Sequence, residues 1–242
     1  MVSEVNNGRD FQTFESGFDF RIKYTDEEYE KYVGKFQPNR KKRLAYRFFK
    51  RAFDIIASFL GLIVLSPIFL IVAIAIKCDS KGPVIFKQKR IGRYGREFYC
   101  YKFRSMYTSA PKDCPTAELE KTGNYVTKVG KVLRKLSLDE LPQLYCCLIG
   151  TMSFIGYRPV VLSEVELHNM RTALGVHEVR PGVSGYAQVV GRDDVYYKNK
   201  AIMDAQYVKD ATLWWDLKLV FQTVGVALNR KGNHDANKER EK

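Results

Sequence analysis

RAFDIIASFLGLIVLSPIFLIVAIAIKCDSKG occupies residues 51–82, and the architecture of the chain follows from this apolar segment. Within it, residues 55–76 form a run of 22 without a charged side chain, long enough for a helix to cross a bilayer. Ser66 and Pro67 lie in the middle of the run. Because proline lacks a backbone donor and clashes with the preceding turn, we expect a helix broken at this pair. The serine hydroxyl is expected to satisfy a backbone group that the break leaves free.

Positive charge flanks this segment on both sides. Residues 40–51 contain seven Lys or Arg, and residues 77–96 contain seven more with a single acid, Asp79. Segments rich in Lys and Arg stay on the cytoplasmic side of a membrane, and here both flanks carry that signal. The pattern therefore favours a re-entrant hairpin that enters one leaflet and returns. The alternative is a single kinked span, which would place residues 1–50 on the far side.

The overall composition is that of a basic protein from a reducing compartment. The formal charge is +13 over 242 residues; the first 39 residues carry eight acids and five bases, so the remainder carries +16. Such a charge predicts anionic partners: phosphorylated substrates, anionic lipid or nucleic acid. Five cysteines without a CxxC spacing argue against a disulfide framework and a zinc site. The first forty residues are polar and aromatic, so no cleavable signal peptide is expected.

Two further segments have recognisable periodicity. Residues 83–106 alternate apolar and polar side chains around a glycine-containing turn, which predicts a β-hairpin. Its many Lys and Arg side chains form either a solvated strand edge or a surface that faces phosphate groups beside lipid. Residues 210–228 predict an amphipathic helix, whose Trp214 and Trp215 suit a membrane interface or the core.

The stretch LRKLSLDELPQL, residues 133–144, places two adjacent carboxylates inside this basic region. Ser137 followed three residues later by Glu140 is a capping-box pattern. Asp139 is an alternative N-cap, which would place Pro142 in the first helical turn. Two short helices are predicted around the acids, at residues 127–136 and 139–149.

Several stretches, taken in order, resemble a single family. They are FKRAFDIIASFLGLIVLSPIFLIVAIAIK, VIFKQKRIG, YKFRSM, VGKVLRKLSLDELPQL, MSFIGYRP, RPGVSGYAQVVGR and DAQYVKD. Together they resemble the bacterial sugar transferases, small monotopic phosphoglycosyl transferases that load a sugar-1-phosphate onto a polyprenyl phosphate. The resemblance covers about residues 46–228.

The resemblance implies an α/β, membrane-associated monotopic fold. A re-entrant, proline-broken N-terminal membrane helix would precede a compact cytoplasmic domain of helices and a small β-hairpin. The expected divisions are a polar extension, the membrane hairpin, the catalytic domain with amphipathic interfacial helices, and a charged tail, at residues 1–45, 46–80, 81–228 and 229–242. The implied location is the cytoplasmic face of the bacterial inner membrane.

The resemblance also implies a chemistry. A UDP-sugar and Mg²⁺ would bind, and Asp139 would attack the β-phosphate, so that UMP leaves and a phosphosugar remains on the aspartate. Polyprenyl phosphate would then displace it. Asp139 and Glu140 are the implied catalytic and metal residues, Ser66 and Pro67 the break in the membrane hairpin. The implied substrate-binding residues are Lys102, Arg104, Arg134, Arg158, Arg192 and Asp204. Anionic membrane lipid is a further expected partner, and nucleic acid is not expected.

Four positions depart from the common family pattern, and they leave the sugar and the nucleotide contacts open. They are Thr151, Tyr157, Tyr186 and Val190. Composition alone also fits a membrane-anchored basic adaptor that binds anionic lipid or nucleic acid without catalysis. The acid pair within a basic region favours the enzyme, because a simple adaptor has little use for it.

Overall fold

The computed structural model describes residues 24–33, 44–111, 125–191 and 196–228, without the side chains of residues 191 and 226–228. The predicted charged tail, Arg192 and most of the predicted N-terminal extension lie outside the described residues. Within these ranges the chain is mainly helical, with two small two-stranded sheets. The mixed α/β class predicted from the sequence is therefore confirmed.

The apolar segment forms two consecutive helices, α2 (Leu44–Val64) and α3 (Ser66–Asp79), after a short α1 (Asp26–Glu30). Pro67 lies in the first turn of α3, where its missing N–H breaks no helical hydrogen bond. The Ser66 hydroxyl donates to the carbonyl of Ile63 at 2.7 Å. The predicted break at this pair is confirmed.

In the described part of the chain, no single helix has both the length and the apolar character needed to cross a membrane; α2 and α3 meet that criterion only as a pair, bent by 60°.

The predicted hairpin is confirmed as two antiparallel strands, β1 (Ile85–Ile91) and β2 (Glu97–Phe103). Its register pairs Phe86 with Lys102 and Arg90 with Phe98. Because side chains alternate along a strand, Arg90, Cys100 and Lys102 share one face of the hairpin. Cys100 is buried, so this face is turned toward the rest of the protein.

The acid pair lies between two short helices, α4 (Lys128–Lys135) and α5 (Gln143–Ile149), much as predicted. Both capping predictions are wrong. Ser137 adopts a left-handed conformation (φ 56°), and its side chain makes no capping hydrogen bond to the turn that follows. Pro142, and not Asp139, precedes α5. The physical reason is a 3₁₀ turn at Leu138–Glu140, which lies between the end of α4 and the start of α5. Both acids belong to this turn, so neither is the N-cap of α5.

The remaining elements build the main core. They are β3 (Ser153–Ile155), α6 (Val165–Ala173), β4 (Gly182–Ser184), α7 (Tyr186–Gly191), α8 (Tyr197–Asp210) and α9 (Leu213–Leu228). Strands β3 and β4 pair in parallel. Helix α8 is the most enclosed, with Ile202 and Met203 fully buried in the same core cluster as Leu167 of α6.

The four positions that depart from the family pattern are packing positions. Tyr157 and Tyr186 are buried in the main core, and Val190 packs against it. The Thr151 hydroxyl donates to the carbonyl of Cys146 near the end of α5. All four residues therefore make contacts within the fold: three pack in or against the main core, and Thr151 bonds to the end of α5.

Helix α9 confirms the predicted C-terminal helix and separates its two tryptophans. The Trp215 ring packs on Tyr186 and Tyr207, with centroids 5.3 and 5.5 Å apart, whereas Trp214 is 75% exposed. Large exposed apolar side chains also line α2 and α3. In the three helices they include Phe48, Phe49, Ile56, Phe59, Leu60, Val64, Leu70, Ile71, Ile74, Trp214, Phe221 and Val224. Exposed apolar surface of this extent marks a membrane or protein interaction site.

Candidate active site

Asp139 and Glu140 lie on the 3₁₀ turn between α4 and α5. This turn faces the inner side of the hairpin, which carries Lys102, and the loop that follows β3, which carries Arg158. Three separate parts of the chain thus meet at the acid pair. Lys102 and Arg158, both predicted from the sequence, are brought to the site.

Two cations, Lys102 and Arg158, bond to Glu140. Its Oε1 accepts hydrogen bonds from Lys102 Nζ at 2.9 Å and from an Arg158 guanidinium nitrogen at 2.5 Å. Its Oε2 accepts from the other terminal nitrogen of Arg158 at 3.3 Å. Burial by itself would raise the pKa of Glu140, but the charges and hydrogen bonds of Arg158 and Lys102 outweigh it and hold the pKa well below its usual range. Glu140 is therefore an anion at any physiological pH.

Asp139 has a different environment, although it is the next residue. It is 8% exposed, and within the described ranges no side chain donates a hydrogen bond or forms an ion pair with it. Burial raises the pKa of Asp139, and the negative charge of Glu140 adds to this, while Lys102, Arg134 and Arg158 oppose it. The pair is thus asymmetric, with one carboxylate committed to cations and the other available.

Arg134 completes the basic surroundings of the pair. It lies in the last turn of α4, close enough for its charge to lower the pKa of Asp139. The structure thus brings together five of the predicted residues around one point: Lys102, Arg134, Asp139, Glu140 and Arg158. A set of fixed cations beside a carboxylate is suited to holding phosphate groups against it.

Two predicted substrate-binding residues lie elsewhere, and Arg192 is outside the described residues. Arg104 is buried and donates to the carbonyls of Ser80 at 2.7 Å, Ile76 and Lys81, so it closes the C-terminal end of α3. Asp204 is buried in the main core, where it forms an ion pair with Arg171 at 2.6 Å. The structure gives both residues partners inside the protein, away from the acid pair.

Sequence reasoning missed two arginines that hold the loop of Arg158. Arg90 donates to the carbonyl of Pro159 at 3.1 Å, and Arg171 donates to the carbonyl of Arg158 at 3.0 Å. The alternation of the hairpin is the signal that could have found Arg90, since it shares a strand face with Lys102. No sequence signal distinguishes Arg171, because a single arginine on a short helix is normally solvated.

The acid pair offers a donor set that fits Mg²⁺. Within the described ranges no group of three or more His, Cys, Asp or Glu side chains is placed to hold a metal. Mg²⁺ is commonly held by one or two carboxylates together with substrate phosphates, and a pair suffices for that arrangement. Asp139 has free acceptor capacity, and Glu140 Oε2 accepts only one of the hydrogen bonds described.

Comparison with known proteins identifies the family. The model of the family described as bacterial sugar transferase matches residues 45–230. The chain belongs to the bacterial sugar transferase family. The matched region contains all but the first residue of the bent helix pair, together with the hairpin and the whole acid-pair site.

Three relatives show the range of names within this family. The chain is 40% identical over 210 residues to the undecaprenyl-phosphate galactose phosphotransferase of Salmonella typhimurium, covering 81% of this chain and 44% of the relative. It is 44% identical over 183 residues to the UDP-glucose:undecaprenyl-phosphate glucose-1-phosphate transferase of Klebsiella pneumoniae, covering 73% and 39%. It is 38% identical over 199 residues to the exopolysaccharide production protein ExoY of Rhizobium meliloti, covering 76% and 88%.

The chain therefore spans less than half of the first two of these relatives and most of the third.

Proposed function

We propose that the protein transfers a sugar-1-phosphate from a UDP-sugar to a polyprenyl phosphate, giving polyprenyl-diphospho-sugar and UMP. Family membership supports this, as do relatives whose names specify sugar phosphotransfer to undecaprenyl phosphate. The structural observation that carries the proposal is the asymmetric acid pair. Buried Asp139 is uncommitted, while Arg158 and Lys102 neutralise its neighbour Glu140.

In the first step, an oxygen of the Asp139 carboxylate attacks the phosphorus of the sugar-bearing β-phosphate. The bond from that phosphorus to the bridging oxygen breaks, and UMP leaves with the electron pair. The sugar phosphate stays on Asp139 as an acyl phosphate, which makes the aspartate a covalent nucleophile. Glu140 is less suited to this role, because Arg158 and Lys102 already donate three hydrogen bonds to its oxygens.

In the second step, an oxygen of polyprenyl phosphate attacks the same phosphorus, and the Asp139 carboxylate is released. Both steps bring an anion toward an anionic phosphate, so they require fixed positive charge. Lys102, Arg134 and Arg158 supply that charge around the acid pair. We further propose Mg²⁺ as cofactor, held by Asp139 and Glu140. When bound, it would offset the negative charge of the diphosphate.

The bent helix pair supports a re-entrant position at the cytoplasmic face of the bacterial inner membrane. The N-terminal half of α2 contacts the catalytic body, since Lys50 pairs with Asp216 of α9 at 2.7 Å. Arg51 also donates to the carbonyls of Cys147 and Leu148, at 2.6 and 2.7 Å, at the end of α5. The start of the pair is therefore fixed to the body that carries the acids.

The end of the pair is fixed to the same body. Arg104, which follows β2, donates to the carbonyl of Ser80 just after α3, and Asp79 accepts a hydrogen bond from the backbone N–H of Val129 in α4 at 3.1 Å. A helix pair that leaves one body and returns to it fits a hairpin better than a span. Its exposed apolar side chains would lie in one leaflet.

The test is UMP release by the purified full chain in detergent with Mg²⁺. The panel includes UDP-galactose, UDP-glucose and UDP-N-acetylgalactosamine, because the names of relatives mention each of these sugars. We expect one UDP-sugar to give at most one UMP per active site without polyprenyl phosphate and repeated turnover with it. Binding to anionic vesicles with no UMP release from any UDP-sugar would indicate the adaptor instead.

A further inference from the structure

The loop that carries Arg158 is held by side chains. We define the Arg158 loop as residues 157–161, which follow β3. Its main-chain groups are bonded by side chains from outside the loop: Arg90 to Pro159 O at 3.1 Å, Arg171 to Arg158 O at 3.0 Å, His168 to Val161 O at 3.0 Å, and Val161 N to Glu164 at 3.1 Å. These side chains hold the backbone around Arg158, together with the backbone N–H of Gly182, which donates to the carbonyl of Tyr157 at 2.8 Å.

Arg171 is the most enclosed of them. It is completely buried, and its Nε and one terminal nitrogen donate to Asp204 Oδ2 at 3.0 and 2.6 Å. Its other terminal nitrogen donates to the carbonyl of Arg158. The guanidinium also lies over the Tyr157 ring, 5.1 Å from its centroid. Every part of this side chain is thus fixed.

The contacts form a continuous path from the core to the acid pair. Asp204 of α8 holds Arg171 of α6, and Arg171 holds the backbone of Arg158. The Arg158 side chain then reaches Glu140 through both terminal nitrogens. Removing one partner of a buried ion pair leaves an uncompensated charge, so replacing either Arg171 or Asp204 alone is expected to destabilise the fold.

We propose that Arg171, held by Asp204, is a positioning residue that sets the reach of the Arg158 guanidinium to Glu140. The inference rests on the proposed function only for its catalytic consequence; the placement of the loop is independent of it. Displacing a group at an active site by about 1 Å can lower the rate on the order of 100-fold, even when the change is made away from the chemistry.

Lysine at position 171 is the informative substitution. Arginine presents donors in a planar fork, which here serves Asp204 on one side and the Arg158 carbonyl on the other. An ammonium group keeps the charge for Asp204 but cannot span both partners. Arg171→Lys therefore preserves the ion pair and removes the hold on the loop.

The experiment is a double-mutant cycle between Arg171→Lys and Arg158→Ala, read as the single-turnover rate of UMP release. In the wild-type background we expect Arg171→Lys to lower the rate about 10- to 100-fold. In the Arg158→Ala background we expect a further loss of less than about threefold, because Arg171 acts through Arg158. Equal losses in both backgrounds, with wild-type turnover intact, would overturn the inference and leave the proposed function standing.

Arg51→Lys is the matched control, since Arg51 also joins two acceptors, the carbonyls of Cys147 and Leu148, and neither of these belongs to the Arg158 loop. Amide hydrogen exchange of the peptide covering residues 155–162 gives a readout without turnover. We expect exchange to accelerate in Arg171→Lys and to be unchanged in Arg51→Lys. If the wild type releases no UMP, the proposed function fails, and this exchange comparison alone decides for or against the positioning role.

Should Arg171→Lys not fold, the double variant Arg171→Gln/Asp204→Asn replaces it, because it leaves no unpaired charge in the core. A loss of rate that shrinks in the Arg158→Ala background would again support the inference, and equal losses in both backgrounds would again overturn it.

Discussion

At the residue scale, two adjacent carboxylates differ because of what surrounds each of them. Glu140 is bonded to Lys102 and Arg158, so its negative charge is fixed in place and largely compensated. Asp139 is buried beside that compensated charge without a bonded partner among the described side chains. A desolvated carboxylate that accepts none of the described side-chain hydrogen bonds keeps its lone pairs available for attack, and this supports Asp139 as the proposed nucleophile.

Asp139→Asn is the direct test of this assignment. Wild-type protein mixed with the UDP-sugar and Mg²⁺, without polyprenyl phosphate, is expected to keep a sugar phosphate on Asp139. The variant should form no adduct, because an amide is a far weaker nucleophile. Mass spectrometry of the peptide containing residues 136–144 measures the adduct.

Glu140→Gln is the companion variant. It removes the charge that Lys102 and Arg158 compensate, so we expect slower adduct formation with the adduct still on Asp139. Full turnover by Asp139→Asn, or an adduct found on another residue, would contradict the nucleophile assignment.

His177 gives the fold a specific pH dependence. Burial, together with the positive charge of Arg171, lowers the pKa of His177 from 6.5 to about 4. As the pH falls through this interval, the unfolded chain binds a proton that the folded chain does not. The free energy of unfolding therefore decreases, by about 2 kcal/mol between pH 7 and pH 5 for this group.

The prediction is checked by chemical unfolding of the wild type and His177→Gln across that pH range. The variant is expected to lose less stability on acidification by roughly the same 2 kcal/mol, while both proteins show parallel curves above pH 7. An identical acid dependence in the two proteins would mean that His177 is not held neutral in the core.

The family resemblance, and not a local pattern, pointed to the centre of the site, and it did not tell which charges are internal. Lys102, Arg158 and Glu140 lie together in the structure, with Arg134 and Asp139 beside them. Arg104 and Asp204 have the same residue types, yet each bonds to a partner that is distant in sequence, the carbonyls at the end of α3 and Arg171 respectively. Such tertiary pairing leaves no local signal.

At the element scale, the break between α2 and α3 coincides with Ser66 and Pro67. Substituting both with leucine is expected to join the helices, because the i to i−4 hydrogen bonds would continue and no ring would clash. A single continuous helix would then contain the whole apolar run, which is long enough to span a bilayer. The measurement is the bend itself, obtained from the distance between spin labels at exposed positions 49 and 74 in the variant and in the wild type.

Ser66→Ala is the control, since it keeps the proline and should keep the bend. Equal label distances in the wild type and the double leucine variant would show that contacts at the two ends of the pair, rather than the Ser66–Pro67 break, impose the bend.

Elements were predicted well where an apolar or alternating pattern extends over many residues. They were predicted poorly where the chain changes direction within a few residues. The apolar run, the hairpin and the C-terminal helix were found from their patterns. The capping of α5 was predicted incorrectly, because a left-handed residue, Ser137, and a 3₁₀ turn at Leu138–Glu140 come between α4 and α5. The sequence shows residue types that often cap a helix, but it does not show the backbone conformation that capping requires.

At the scale of the whole molecule, residues 24–33 belong to the same body as the active site. Tyr29 donates to the carbonyl of Met170 in α6 at 2.9 Å, and Lys198 of α8 pairs with Asp26 at 2.7 Å. The described residues before the bent pair and those after it therefore lie together. This arrangement agrees with the even distribution of positive charge on the two flanks of the apolar segment.

Glu27→Cys tests that arrangement in cells, because Glu27 is exposed on α1. A membrane-impermeant thiol reagent is expected to label it only after the cells are permeabilised. A cysteine at exposed position 131 on α4 is the control for the catalytic body and should behave identically. Labelling of position 27 alone in intact cells would establish a spanning helix and exclude the hairpin.

The α2–α3 pair is fixed at both ends to one body. Under the proposed topology it enters and leaves the membrane on the same side, so it does not extend to the water on the other side. A spanning helix must match the hydrocarbon thickness of its bilayer, and each ångström of mismatch costs a fraction of a kcal/mol. The hairpin has no such length to match. Its rate of UMP release is expected to change by less than about twofold between vesicles of short-chain and long-chain lipids. Thin and thick membranes would then serve this protein equally well.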